Sequence, residues 1–436
     1  MQTFAAAQHC EKGARMVNVL AGVWALLLGV VLIMLGNGMH FTLIGLRGGL
    51  EGFSAAELAV VTSGYFVGFL AGARYAPVMI RRVGHVRVFA ALGSFMSAGL
   101  IAFTLLPEPA VWTVLRLLVG FCMSGIYVSA ESWLNNASTN ETRGKVLSAY
   151  MLCQTLGIIG AQGLLTLGDA ATAALFVTAS ILVSVSFAPI LLSITPAPAA
   201  EVTRPMSLRA LFTGSPLGTV GIFLLGSIYA TQSGMGAVYG TQIGLGADQI
   251  ALFVAMLFAG ALVLQSPIGW LSDQIDRRKV IAGAAALGGT ACVGGWYLDG
   301  DYLPLLAAAF FAGGMTTPLY ALFLAYTNDY LSVEDMPAAS GGLVFTFGLG
   351  AISGPLAAGA AMETLGPNGF WIVLGGTFGA IAVYAVYRMS QRAAAPATET
   401  DSYLNVLPTS SVVAVEAAGS WAADQAEAER DANAAD

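Results

Sequence analysis

A short charged cluster, residues 273–279, lies between two long apolar stretches in the second half of the 436-residue chain. It contains Asp273, Arg277 and Arg278. A carboxylate at a helix end accepts charge-assisted hydrogen bonds from the N-terminus of a neighbouring helix and from a loop arginine. Bonds of this kind hold two helices together in one conformational state and break in another. One interpretation is therefore a conformational latch, and the alternative is a cluster that only fixes orientation in a membrane.

A second group of chemically capable residues follows one helical stripe. The members are separated by four, three, four and four positions, and they are Arg116, Gly120, Met123, Tyr127 and Glu131. An arginine within an apolar helix is costly unless it is hydrated or paired, so a functional role is the default hypothesis. The alternative is that the Arg116 side chain extends to the nearer membrane surface.

Glu131 lies close to the end of the same apolar stretch. It is a candidate for a latch in the first half of the chain, paired with Arg81, Arg82 or Arg143. The alternative is a carboxylate that is simply solvated.

Further polar residues recur on single faces of other apolar stretches, and they are Asn37, His40, Gln154, Tyr229, Gln232 and Tyr320. A lipid-facing position would leave such groups without hydrogen-bond partners, so these faces are expected to point inward. They either contact a solute in a central cavity or make hydrogen bonds between helices. His40 titrates near neutral pH when it is unperturbed, but a structural role fits it equally well.

The elements that position these residues follow from composition. Hydrophobic residues make up 57% of the chain and charged residues 10%, whereas a soluble domain carries about 25% charged residues. Each apolar stretch reaches the roughly 20 residues that cross a bilayer as a helix. The stretches do not alternate in polarity, which argues against a β-barrel. We predict an all-α integral membrane protein with twelve transmembrane helices, at residues 17–46, 56–80, 88–106, 110–134, 144–168, 172–194, 217–243, 249–271, 280–298, 303–327, 338–362 and 368–389.

Basic residues predict the orientation. With both termini in the cytoplasm, fifteen of the eighteen Lys and Arg residues lie at cytoplasmic loops and helix ends, and one, Arg47, lies on the opposite side. Lys and Arg accumulate on the cytoplasmic face because they resist translocation. We therefore predict a multi-pass protein of the cell inner membrane.

An internal repeat divides the chain into two halves related by a shift of about 192 residues. Gly68 then aligns with Gly260, and Tyr127 aligns with Tyr320. The predicted domains are a cytoplasmic N-terminus at 1–16, a six-helix bundle at 17–194, a central cytoplasmic loop at 195–216, a second six-helix bundle at 217–389 and a tail at 390–436. The tail is acidic, rich in alanine and poor in aromatics, so it is predicted to be disordered. Two parallel six-helix halves predict two bundles that rock about a central cavity.

With these features the chain resembles the major facilitator superfamily of secondary transporters. The superfamily motif between the second and third helices of each half is matched in the second half by Gly269, Leu271, Ser272, Asp273, Gln274, Arg277, Arg278 and Lys279, with Asp276 in place of a glycine. The first-half copy is eroded, with Arg81 where an aspartate is usual. The segment ESWLNNASTNETRGKV is similar to a poorly characterised bacterial branch. The resemblance implies the major facilitator fold, a latch at Asp273 and a place for Arg116 at the central cavity.

The predicted cavity residues are mostly uncharged, and no carboxylate lies in the middle of a span. Aromatic rings with amide donors suit a neutral or weakly anionic heterocycle, so we predict uptake of a vitamin-like solute such as riboflavin. Proton-coupled efflux of drugs or metabolites is the alternative, although the Gly-Pro pair that superfamily antiporters carry in the fifth helix is absent. A membrane receptor or assembly factor without transport is a further alternative. The sequence indicates no enzyme, cofactor, metal site or nucleic-acid partner, and it predicts a monomer.

Overall fold

The computed structural model describes residues 2–139, 142–191, 206–298, 301–331, 335–391, 403, 406–419 and 421, with side chains from residue 23 onward apart from Pro337. The first bundle contains α1 (Gln2–Leu50), α2 (Ala55–Val83), α3 (His85–Ala102), α4 (Pro109–Ala137), α5 (Arg143–Leu165), α6 (Ala174–Ser186) and α7 (Ala188–Leu191). After α8 (Leu208–Gly214), the second bundle contains α9 (Pro216–Gln242), α10 (Ala247–Ser272), α11 (Arg277–Tyr297), α12 (Tyr302–Asn328), α13 (Met336–Leu365) and α14 (Gly369–Gln391). A last helix, α15, spans 412–419.

Eleven membrane-crossing segments in the described residues are long and apolar enough to span a bilayer. A twelfth is α9, which follows α8 after a bend of 119°. The predicted spans differ from these helices mainly at their ends. The first helix continues back to Gln2, with Val23–Leu50 as its apolar part, and the sixth span is broken at Phe187 into α6 and α7.

Local sequence explains where several helices begin and end. Ser54 and Glu57 form a reciprocal capping box at the start of α2, which satisfies backbone donors there. Pro109 and Pro216 stand in the first turns of α4 and α9, where a missing N–H costs nothing. Gly84 separates α2 from α3 with a φ of 85°, a conformation that glycine adopts without strain.

Glycines allow the closest helix crossings within each bundle. A Cβ atom added to Gly68 would lie 1.9 Å from the Leu117 carbonyl oxygen, so α2 and α4 are in backbone contact. The same crossing recurs in the second bundle, where a Cβ on Gly260 would lie 1.8 Å from the Phe310 carbonyl oxygen of α12. Small residues at such crossings let backbones approach and gain van der Waals contact. The repeat seen in the sequence is therefore a repeat of helix packing.

The helix ends define two ends of the molecule. The basic end carries α8 and the α2–α3, α4–α5, α10–α11 and α12–α13 connections, and the opposite end carries the α1–α2, α3–α4, α5–α6, α9–α10, α11–α12 and α13–α14 connections. The two bundles are in close contact at the opposite end, because a Cβ on Gly45 would lie 2.7 Å from the Ala237 Cβ and one on Gly359 would lie 2.5 Å from the Ala59 Cβ. The Ala56 N–H also donates to the Glu363 carboxylate of α13 at 3.1 Å. The molecule is therefore closed at its opposite end.

Two predicted irregular segments contain structure. The predicted central loop holds α8, which begins at the N-cap Ser207, while residues 192–205 lie outside the described residues. The prediction of a disordered tail is wrong for 406–419, because Val406, Ala414 and Val415 are buried and α15 is helical. These apolar side chains pack against the helix bundles, which offsets the loss of chain entropy. The rest of the predicted tail lies outside the described residues, apart from residues 390, 391, 403 and 421.

Candidate functional site

A small cavity lies between the two bundles near the middle of the molecule. Three predicted cavity residues line it, Asn37 of α1, Tyr127 of α4 and Tyr229 of α9. The lining also includes residues that the sequence interpretation did not select, among them Phe41, Tyr65, Phe66, Gln162, Phe258 and Thr409. The described lining therefore combines aromatic rings with amide and hydroxyl groups and contains no carboxylate.

Hydrogen bonds between helices orient part of this lining. The Thr42 hydroxyl donates to the Gln162 side-chain oxygen at 2.9 Å, which joins α1 to α5. The Tyr127 hydroxyl lies 3.4 Å from the Met34 sulfur, so a second polar group of the cavity also faces α1. Gln162 belongs to α5, as Gln154 does, but it was not among the predicted cavity residues. Aromatic residues such as Tyr65 carried no signal in the sequence that separated them from core residues.

The cavity is too small for an organic solute in this state. Its volume is about 30 Å³, which suffices for one or two water molecules. A site for a small organic ligand occupies roughly 300 Å³ or more. The bundles must therefore separate, or a lining element must leave, before a heterocycle can bind.

Arg116 lies behind the cavity wall rather than in the lining. Its guanidinium carbon is 4.3 Å from the centre of the Phe41 ring and 5.5 Å from that of Tyr65, and both rings line the cavity. The side chain is completely buried, and its nitrogens have no hydrogen-bond acceptor among the described residues. The alternative, in which the Arg116 side chain extends to a membrane surface, does not hold, because the side chain is completely buried.

His40 and three other predicted cavity residues lie away from this lining. The His40 ring packs against Phe103 and Phe176 with centroids 4.6 and 5.8 Å away. Gln232 accepts a hydrogen bond from the Thr316 hydroxyl at 2.9 Å, which joins α9 to α12. Gln154 and Tyr320 are buried elsewhere in the interior. These residues face inward as predicted but lie outside the lining of this cavity, and His40, Gln232 and Tyr320 contact neighbouring helices.

The charged cluster at the basic end forms ion pairs within the second bundle. Arg277 pairs with Asp329 at 2.6 Å, and both side chains are buried. Arg278 pairs with Asp276 at 2.8 Å. Burial raises the pKa of Asp276, but hydrogen bonds from the Arg278 side chain and backbone outweigh this effect, so the pKa lies below its ordinary value. Arg277 therefore joins α11 to the end of α12, a partner that the sequence interpretation did not assign.

Asp273 has a different partner from the one predicted. Its carboxylate accepts a hydrogen bond from the Tyr403 backbone N–H at 2.9 Å, a residue of the C-terminal tail. Partial desolvation raises the pKa of the Asp273 carboxyl, although the Tyr403 amide and the charge of Arg277 both lower it. The sequence interpretation expected a helix N-terminus and a loop arginine as the donors, whereas the observed bond comes from the tail.

Glu131 also contacts the tail. It is fully buried, and its two oxygens accept hydrogen bonds from the Tyr150 hydroxyl at 3.0 Å and from the Ser411 backbone N–H at 2.8 Å. Glu131 makes no ion pair with an arginine in the part of the chain that the structure describes. Arg81 and Arg82 are exposed at the end of α2, and Arg143 is half-buried at the start of α5. The predicted first-half latch therefore has a backbone donor instead of an arginine.

Within the described ranges, no group of three His, Cys, Asp or Glu side chains is arranged to hold a metal ion. Ser411, Thr409 and Tyr403 instead connect the site to the end of the chain. The geometry of the site is that of a gated central cavity between two helix bundles.

Comparison with known proteins fits this geometry. The family model "Sugar (and other) transporter" matches residues 13–197, and the model "Major Facilitator Superfamily" matches residues 217–421. The chain belongs to the major facilitator superfamily. Superfamily members are transporters rather than enzymes, so the chain is a multi-pass membrane protein of the secondary-transporter class.

Two relatives within the superfamily are themselves named as uncharacterised transporters. The chain is 26% identical over 337 residues to the uncharacterised MFS-type transporter YfkF of Bacillus subtilis, covering 75% of this chain and 85% of that protein. It is 24% identical over 357 residues to the uncharacterised MFS-type transporter YcaD of Escherichia coli, covering 81% of this chain and 92% of that protein. These matches agree with the resemblance to a poorly characterised bacterial branch.

Solved structures of the superfamily share the fold. The nucleoside transporter NupG superimposes with a TM-score of 0.67 at 14% identity, covering 85% of this chain and 99% of that one. A second structure is that of a bacterial homologue of the human lysosomal transporter Spinster in an inward-facing and occupied conformation. It superimposes with a TM-score of 0.66 at 14% identity, covering 84% of this chain and 94% of that one. The all-α fold of two six-helix bundles predicted from the sequence is confirmed.

Proposed function

We propose that the protein takes up a neutral or weakly anionic heterocyclic solute, of the size of riboflavin or a nucleoside, across the inner membrane. The observation that carries the proposal is the composition of the central cavity. Phe41, Tyr65 and Tyr127 offer ring faces, and Asn37 and Gln162 offer amide groups, with no carboxylate in the described lining. Ring faces stack on planar solutes, and a few placed polar groups fix their orientation.

The buried guanidinium behind the wall favours the same class. Arg116 lies over the Phe41 and Tyr65 rings and contributes positive potential close to the cavity. This potential disfavours cationic solutes and tolerates a weakly acidic ring system. NupG is named a nucleoside transporter, and its fold likeness makes nucleosides a useful second probe beside riboflavin.

Because the two bundles are in contact at the opposite end, the structure supports a solute path that reaches the central cavity from the basic end. The contacts of Gly45 with Ala237 and of Gly359 with Ala59 shut the opposite end. The basic end faces the cytoplasm in this proposal, since Lys and Arg residues resist translocation. Both termini are then cytoplasmic, and the state described here is closed to the exterior. Rocking of the two bundles alternately exposes the cavity to each side, and Asp273, Glu131, Arg277 and Arg278 belong to the gating region, with Arg82 and Arg143 at its edge.

Transport measurements test the substrate class. Purified protein in proteoliposomes is expected to accumulate radiolabelled riboflavin or uridine above protein-free liposomes. The Asn37→Ala variant is expected to lose at least tenfold in initial rate, because Asn37 lines the cavity. The Gln154→Ala variant is the matched control, since Gln154 is buried but lies outside this lining. Equal losses in both variants would count against the assigned cavity.

The direction and coupling are tested in the same preparation. Uptake that rises with an inward proton gradient indicates proton coupling, while solute extrusion in the inverted orientation indicates the efflux alternative. A protein that binds neither probe in a thermal-shift assay and carries no flux contradicts the heterocycle proposal. Such a result returns the receptor or assembly-factor alternative to consideration.

A further inference from the structure

The C-terminal tail enters the space between the two bundles at the basic end. Tyr403 lies against the second bundle, where its ring packs on Gly269 and its N–H donates to Asp273. Trp421 lies against the first bundle, where its ring packs on Gly144 of α5. The tail therefore connects the two bundles at the end where they must separate for the cavity to open.

The middle of the tail reaches the central cavity. Thr409 lines that cavity, and its side chain lies beside the hydroxyl groups of Tyr127 and Tyr229. These tyrosines belong to different bundles. A solute entering from the basic end would have to pass the segment that carries Thr409, because this segment forms part of the cavity wall.

The following helix is anchored by a buried carboxylate. The Ser411 N–H donates to Glu131, and the Ser411 hydroxyl accepts from the Val413 N–H at 3.3 Å, so Ser411 caps α15. A carboxylate at a helix N-terminus is favoured by the helix dipole. Ala414, Val415 and Ala418 of α15 are buried in the same core as the membrane helices.

The contacts use the two acids that the sequence predicts as latch residues. Asp273 and Glu131 are both acceptors for tail backbone N–H groups. A larger cavity of about 460 Å³ lies beside α15, lined by α2, α4 and α13 together with Ser411, Val412 and Glu416. The tail thus fills only part of a wider opening between the bundles.

We propose that the tail segment made of Tyr403 and residues 406–419 is an intramolecular plug that binds the open basic end, occupies the solute path and must leave before solute exchanges on that side. This inference rests on the superfamily's transport activity but not on the identity of the solute. The plug holds the gating acids in a closed, tail-bound arrangement. Release of the tail frees Asp273 and Glu131 for other partners as the bundles rock.

Cysteine accessibility tests the plug without a known solute. The four native cysteines are replaced by alanine, and Ser233→Cys places one thiol in the central cavity, where Ser233 shares the lining with Thr409. The protein is studied in lipid nanodiscs with a water-soluble maleimide. Truncation after residue 402 is expected to raise the labelling rate of this thiol at least tenfold. Thr139→Cys, at an exposed site on the basic end, is the control and should keep its rate.

Two point variants repeat the test in the full-length chain, so that misfolding of the truncated chain would not decide the result. Ser411→Pro removes the N–H that bonds Glu131, and Asp273→Asn weakens the bond from Tyr403. Both are expected to increase labelling of the Ser233→Cys thiol, whereas Arg81→Gln should not, since Arg81 is exposed at the end of α2. A synthetic peptide of residues 400–421 should restore slow labelling to the truncated protein, and a scrambled peptide should not. Equal labelling of full-length, truncated and Ser411→Pro proteins would overturn the proposal.

Discussion

Arg116 poses the sharpest question at the scale of single residues. Its guanidinium is buried without a hydrogen-bond acceptor among the described residues, and its electrostatic support there comes from the faces of Phe41 and Tyr65. Cation–π contacts contribute about 2 kcal/mol when desolvated, whereas the effective cost of burying an ion is several kcal/mol. The residue therefore costs stability, and we infer that this cost is offset by a role in transport.

Replacement of Arg116 by methionine should separate stability from function. Because a long apolar side chain removes the buried charge and keeps the volume, the Arg116→Met protein is expected to unfold at the same or a higher temperature. Its uptake of the solute should fall at least tenfold. Arg277→Met is the matched control and should lose about 3 kcal/mol or more, since it leaves the buried carboxylate of Asp329 without this ion pair. Equal destabilisation of both variants would contradict this account of Arg116.

Helical spacing in the sequence identified some of the cavity residues but not others, and the reason is physical. The stripe that contains Arg116 and Tyr127 does face the interior, and Tyr127 does line the cavity. Spacing gives the face of a helix but not the neighbour that the face meets. His40 therefore shared a predicted face with Asn37, yet it packs against Phe103 and Phe176.

At the scale of secondary-structure elements, the glycine crossings of α2 with α4 and of α10 with α12 set the architecture of each bundle. Gly68 and Gly260 occupy equivalent positions, and each meets a backbone carbonyl of the partner helix. Since the obstacle is backbone rather than a flexible side chain, a methyl group there must push the helices apart.

The glycine crossings predict that a Gly→Ala substitution changes stability differently at different positions. Gly68→Ala and Gly260→Ala are expected to lower the unfolding temperature in detergent, with a loss of about 1–3 kcal/mol each from forced overpacking. Gly283→Ala is the control, because a Cβ there meets nothing within 4 Å, and better helix propensity should leave stability unchanged or raised. Equal unfolding temperatures for all three variants and the parent would show that the crossings are looser than described.

The tail shows where composition misleads at the element scale. Acidic and alanine-rich residues toward the end of the chain predict disorder, but the segment from Val406 to Ala418 is apolar enough to be buried. Its partners, Asp273 and Glu131, lie 130 and 280 residues earlier in the chain than Tyr403 and Ser411. Neither local propensity nor periodicity carries information about contacts at that separation.

At the scale of the whole molecule, the two bundles share a packing plan but differ in charge. The second bundle has the buried pair of Arg277 and Asp329, and the equivalent positions of the first bundle hold His85 and Asn136. Long apolar runs and the repeat made the fold predictable, because the bilayer permits few alternatives. At the basic end, a buried ion pair therefore joins two helices of the second bundle, and the equivalent positions of the first bundle hold no such pair of charges.

Orientation of the whole molecule is tested by the side from which introduced cysteines react. With the basic end in the cytoplasm, Leu105→Cys at the opposite end should react with an impermeant maleimide in intact spheroplasts, since Leu105 is 78% exposed. Thr139→Cys should react only after the cells are broken. The experiment uses the background without native cysteines. The reverse pattern would invert the proposed topology and place the tail outside the cell.

The position of the plug after the last membrane helix also has a consequence for biosynthesis. A ribosome delivers all twelve spans to the membrane before it releases the plug segment, so every newly inserted molecule passes through a period without its tail in place. Premature termination or proteolysis between α14 and the plug segment would leave a transporter with its membrane helices complete and no plug at its basic end. Closure of the basic end therefore depends on the segment that follows α14 as much as on the spans themselves.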